Sequence, residues 1–116
     1  MQDGKRLVAA FFRTERGGEP VRDWLKSLPV EDHKQMGGAI MAAEYGWPIG
    51  LPTCRPLSGH AGLWEVRAAL SDGRIGRVIF TLAGGRMVLL HGFVKKSQKT
   101  PRRDIALART RQRTLA

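Results

Sequence analysis

Three apolar runs separated by glycine turns fill the second half of this chain and limit what it can fold into. They are LWEVRAAL (63–70), GRIGRVIFTL (73–82) and RMVLLHGFVKK (86–96), with Ser-Asp-Gly and Ala-Gly-Gly as the turns. Turns this short join antiparallel neighbours, so the runs read as a meander of three strands. The third is nearly all apolar until it ends in lysines, as a strand inside a sheet would be. Upstream, KRLVAAFFR (5–13) reads as a first strand ended by TERGG. Glu19-Pro20 then opens a helix whose Val21, Trp24, Leu25 and Leu28 fall on one face, closed by Pro29. A second helix is expected from Val30 or Glu31 to Tyr45, with Met36, Ala39, Ile40 and Ala43 inward and Gly46 as its C-cap. Gly37-Gly38 inside it costs about 1 kcal/mol each relative to Ala, which close approach to a sheet would explain. Residues 47–62 carry three prolines and three glycines without periodicity and are expected to be a long, functional loop, with Trp47, Arg55 and His60 as its notable side chains. Thr100-Pro101 caps a last helix with Ile105, Ala108 and Leu115 as a thin apolar stripe. The expected fold is α+β, ordered β-α-α-β-β-β-α, in one domain over residues 1–116 with a small, mostly antiparallel sheet.

Charge narrows the function. Residues 1–58 hold 8 Lys/Arg and 7 Asp/Glu, whereas residues 59–116 hold 12 and 3. Such a one-sided excess destabilises a fold by self-repulsion and points to a polyanion, or to an acidic protein partner. Fourteen of the 20 cations are Arg, whose planar fork suits phosphate. No apolar run is long enough to span a bilayer, and the N-terminus lacks the core of a secretion signal, so a cytoplasmic protein without membrane contact is expected. The lone Cys54 allows no internal disulfide, and the scattered His33, His60 and His91 fit no ligand spacing; no metal or cofactor is expected.

The candidate site is cationic. Glu65 and Arg67 are two apart and share one strand face, with Trp64, Val66, Ala68 and Leu70 on the core face. Arg77 lies mid-strand next door, and His91, Lys95 and Lys96 lie along the third strand. A cross-strand ion pair of Glu65 with Arg67 or Arg77 is the structural alternative, worth tenths of a kcal/mol if exposed. Lys95, Lys96, Lys99, Arg102 and Arg103 cluster around the last helix start, where cations oppose the helix dipole and an anion would be welcome. With Arg74 they are the expected phosphate contacts.

LWEVRAALSDGRIGRVIF followed by VLLHGFVKKSQKTPRRDIALAR resembles the RelE/ParE toxin superfamily, nearest its HigB-like, phage-related branch. The shared elements are Leu63–Arg67, Gly76-Arg77, Leu90–Lys96 and Ser97–Pro101; Gly76 departs from the usual Tyr, removing an aromatic that could stack on a base. The resemblance implies a compact RelE-like fold and a toxin of a type II toxin–antitoxin pair. Its activity would be translation inhibition by metal-independent, ribosome-dependent cleavage of mRNA. Arg67 and Arg77 would grip the scissile phosphate, with Lys95 or Lys96 as a further catalytic cation, Glu65 as base and His91 as acid. The implied partners are a helix-turn-helix antitoxin, mRNA on the ribosome, and operator DNA through the antitoxin alone. A ParE-like gyrase inhibitor and a non-catalytic RNA- or ribosome-binding module are the alternatives.

Overall fold

The computed structural model describes residues 4–115. Its elements are β1 (Val8–Phe11), α1 (Pro20–Ser27), α2 (Val30–Gly46), β2 (Cys54–Pro56), β3 (Trp64–Ala69), β4 (Ile75–Ala83), β5 (Arg86–Lys95) and α3 (Arg102–Arg113), with a short 3-10 turn at Ser71–Gly73. The five strands form one sheet in the order β1-β5-β4-β3-β2, antiparallel except for the parallel β1–β5 pair. The α+β class and the meander are as the sequence implied, and β5 is an interior strand. The Ala83–Arg86 hairpin turns on Gly84 and Gly85, both at positive φ (59° and 75°), the geometry of the tightest hairpin turn.

Both faces of the sheet are covered. On one, Val21 and Leu25 of α1 and Met36, Ile40 and Ala43 of α2 pack on Val66, Val78, Phe80, Met87 and Leu89. Trp47 joins this layer edge-on to Trp64 and Phe80, at ring distances of 4.9 and 5.8 Å. On the other, Ala108 and Ile105 of α3 sit with Phe12, Leu57, Leu63, Ile79, Val88, Leu90 and Phe93. Arginines clamp α3 down: Arg111 donates to the Leu90 carbonyl (2.7 Å) and lies over the Phe12 ring, and Arg109 donates to the Ala61 carbonyl (2.9 Å). Part of the positive charge of this half therefore serves the fold.

Several sequence expectations change. The first strand is shorter than 5–13, and the 47–62 segment is not all loop, because Cys54–Pro56 pairs along β3 as an edge strand. α2 runs through Gly46, which is no left-handed cap. A side chain at Gly37 or Gly38 would meet nothing within 4 Å, so close approach does not explain that pair. It does explain Gly92, where a Cβ would stand 2.3–2.7 Å from the Trp24 ring. A side chain at Gly76 would meet Leu70 and Met36 beneath α2, facing away from the arginines, so the missing Tyr removes no base-stacking surface. Thr100 does not cap α3; Pro101 holds the N-cap position.

Candidate functional site

The strand register assembles an ionic hub under α3. Arg55 of β2 stands opposite Glu65 of β3, and Arg67 of β3 stands opposite Arg77 of β4, so all four share one face. Arg55 Nε donates to Glu65 Oε1 at 3.0 Å, and Arg67 Nε lies 3.8 Å from the same oxygen. Arg77 lies 3.9 Å from Oε2, which also accepts the Thr100 hydroxyl at 2.5 Å. That hydroxyl accepts in turn from Arg77 (3.3 Å) and Arg55 (3.4 Å), and Arg77 also donates to the Ser97 carbonyl. The Ser97–Pro101 segment is thereby tied to three strands through one threonine. Glu65 and Arg77 are wholly buried. Burial pushes the Arg77 guanidinium pKa down; the Glu65 carboxylate opposes this, and the Arg67 and Arg55 charges reinforce it. One carboxylate thus faces three guanidinium groups, an excess of two positive charges.

The arginines differ in what they can reach. The Arg77 side chain is 0% exposed, Arg67 14% and Arg55 31%. Arg67 lines a groove of about 430 Å³ with Pro52, Thr53, Ala68, Ala69, Ile75 and Gln98. Arg55 lines a second groove of about 590 Å³ with Ser58, His60, Gln98, Lys99, Thr100 and Arg102 among its walls. Neither groove is lined by a carboxylate residue, and Gln98 borders both. These are concave, cationic surfaces with hydrogen-bond donors and no competing acid, suited to phosphodiester oxygens.

The family model described as "Phage derived protein Gp49-like (DUF891)" matches residues 23–113, from α1 to the end of α3, and so takes in the whole hub. The chain belongs to the Gp49-like family. This family is of the RelE/HigB toxin type, associated with toxin–antitoxin systems, whose toxins in general have an antitoxin partner. No curated protein shows significant sequence similarity to the chain. No helix among the described residues is long and apolar enough to cross a membrane.

In this Gp49-like chain the structure separates residues that the sequence had grouped. Glu65 cannot reach a substrate hydroxyl, since it is buried with both oxygens engaged, and Arg77, also buried, cannot grip a phosphate directly. Both instead hold the partly buried Arg55 and Arg67 in place. His91, expected as an acid, sits two strands from Glu65 across Ile79, with Nε2 2.6 Å from Asp104 of α3 and its ring on Phe93. It fastens the helix to the sheet. Arg74 is committed elsewhere: it pairs with buried Asp32 of α2 at 2.8 Å and bonds Ser71. The Ser71 backbone amide holds the Asp32 carboxyl below its ordinary value; burial opposes this, and the Ser71 hydroxyl and Arg74 assist. Of the proposed five-cation cluster, Lys99 and Arg102 share a groove, while Arg103 and Lys96 are exposed outside its lining. Lys95 stands opposite Ile75, which lines the Arg67 groove, and is not itself part of that lining. Arg55 was not among the expected catalytic or phosphate-binding residues, because its three-residue strand, which ends in Pro56, is too short to show a period. Gln98 and the hub role of Thr100 were also missed. Among the described residues no group of three or more His, Cys, Asp or Glu side chains is placed to hold a metal ion.

Proposed function

We propose that this chain is the toxin of a type II toxin–antitoxin pair and stops translation by cutting mRNA on the ribosome without a metal ion. The observation that carries this reading is Arg67, held by the buried Glu65 hub at the wall of an acid-free groove. RNA cleavage by its own 2′-oxygen needs the 2′-OH proton passed to water, in-line attack on phosphorus, stabilisation of charge on the non-bridging oxygens, and a proton returned from water to the leaving 5′-oxygen. Arg67 supplies the fixed cation for those oxygens. It is preorganised because Glu65, Arg55, Arg77 and Thr100 are locked together behind it. Lys95 and Lys96, ending β5 near Ile75 of the same groove, supply the cation beside the leaving 5′-oxygen. Lys99, Arg102 and Arg55 hold neighbouring phosphates, and these contacts position the strand without reading bases.

The partner is an antitoxin encoded beside the toxin, with a helix-turn-helix domain that carries the pair to operator DNA; the compartment is the cytoplasm. The test is expression in growing cells followed by mapping of mRNA 5′ ends. New ends within translated regions, absent with Arg67→Ala at equal expression, are expected. Intact mRNA with blocked DNA supercoiling would establish gyrase inhibition instead, and RNA binding without cleavage would leave a non-catalytic module.

A further inference from the structure

The groove wall at Arg67 is occupied by the protein itself. Gln98 Oε1 accepts a hydrogen bond from Arg67 NH2 at 2.5 Å, and the Gln98 backbone carbonyl accepts from Arg55 at 3.2 Å. Gln98 is exposed between exposed Ser97 and Lys99, so its side chain is not fixed by packing. Arg67 Nε, buried and 3.8 Å from Glu65, has no hydrogen-bond partner among the described residues. The outward bond of this guanidinium therefore goes to a neutral amide oxygen that sits between the two grooves.

We propose that Gln98 is a placeholder for a phosphate oxygen: in the free protein it satisfies Arg67, and the RNA strand displaces it when a phosphate binds there. This rests on the reading of the grooves as an RNA site. The exchange is favourable because a phosphate oxygen adds direct charge–charge attraction to the guanidinium and offers it a bidentate partner, whereas the amide oxygen carries no net charge. The displaced amide swings into water, where its own hydrogen bonds are remade. Gln98 lines both grooves, so a strand that displaces its side chain from Arg67 lies next to the groove of Lys99 and Arg102.

The variants separate a displaced group from a supporting one. Gln98→Ala removes the competitor and should tighten binding of a short single-stranded 2′-O-methyl RNA by about 2- to 10-fold, the worth of one net hydrogen bond. On translating ribosomes the same variant should lower KM with kcat nearly unchanged. Gln98→Glu places a carboxylate that phosphate must expel. It should weaken RNA binding at least about tenfold more than Lys99→Gln, which changes net charge equally. It should also raise Tm. Weaker or unchanged RNA binding by Gln98→Ala would overturn the inference and make Gln98 a support for the strand. Equal losses in Gln98→Glu and Lys99→Gln would overturn it too. Wild-type protein that binds no RNA would refute the reading of the site, and this inference with it.

Discussion

Glu65→Gln is the sharpest perturbation of the hub, because it keeps the side chain's shape and removes its charge. In the wild type the carboxylate faces Arg55 at 3.0 Å, Arg67 at 3.8 Å and Arg77 at 3.9 Å, and accepts the Thr100 hydroxyl. An amide in its place leaves three guanidinium groups without a counter-charge and turns an NH2 toward other donors. Removing one partner of a buried ion pair costs about 3–5 kcal/mol, because the remaining charge stays desolvated. Since a domain's stability is about 5–15 kcal/mol, the variant should lose a large share of it. At roughly 3–6 °C per kcal/mol for a chain of this length, Tm should fall by roughly 10–30 °C. Urea denaturation gives the free energy, and the loss should persist at high salt because the contacts are buried. Arg77→Met should cost less in the Glu65→Gln background than in the wild type, with a coupling of about 1–3 kcal/mol. A loss under about 1 kcal/mol, or no coupling, would show that Glu65 does not hold these arginines.

Other expectations follow from single contacts. Gly92→Ala should destabilise by about 1–3 kcal/mol in denaturant titration, because its Cβ would meet the rigid Trp24 ring. Cys54 is buried and its thiol pKa is pushed up to about 11, so thiol reagents at pH 8 should label it only after unfolding. The Asp32 carboxyl pKa is depressed below 3.8 by Ser71 and Arg74, so its stabilisation is present above that pH and lost as pH falls through the lowered folded value. The stability gap between wild type and Asp32→Asn should accordingly shrink in urea titrations below pH 3.8.

Strong periodicity was legible in the sequence, and tertiary placement was not. The meander, the stripes of α1 and α2, and the shared face of Glu65 and Arg67 all follow from local patterning. The covering of that face was hidden, because α3 buries little more than Ala108 and Ile105 and holds the sheet through Arg109 and Arg111, which carry no periodic signal. The alternation that aligned Glu65 with Arg67 therefore predicted an open surface where there is a hub. Arg55 was obscured by the brevity of β2, which exists through pairing with β3. Thr100 before Pro101 carries a helix-start signal, and nothing local shows that its hydroxyl turns to a carboxylate 35 positions away. Gln98 is a neutral residue in a basic segment, and its position on Arg67 exists only in three dimensions.

Cleavage of mRNA by purified protein on translating ribosomes, with Arg67→Ala alongside, tests the central claim most directly. Wild-type protein should leave fragments ending in a 2′,3′-cyclic phosphate and a 5′-hydroxyl, the products of attack by the neighbouring 2′-oxygen. Arg67→Ala should retain the fold and cut about 10²–10³ more slowly, the cost of losing one fixed cation at the transition state. Uncut mRNA with folded wild-type protein, or equal cleavage rates for the two proteins, would contradict the claim.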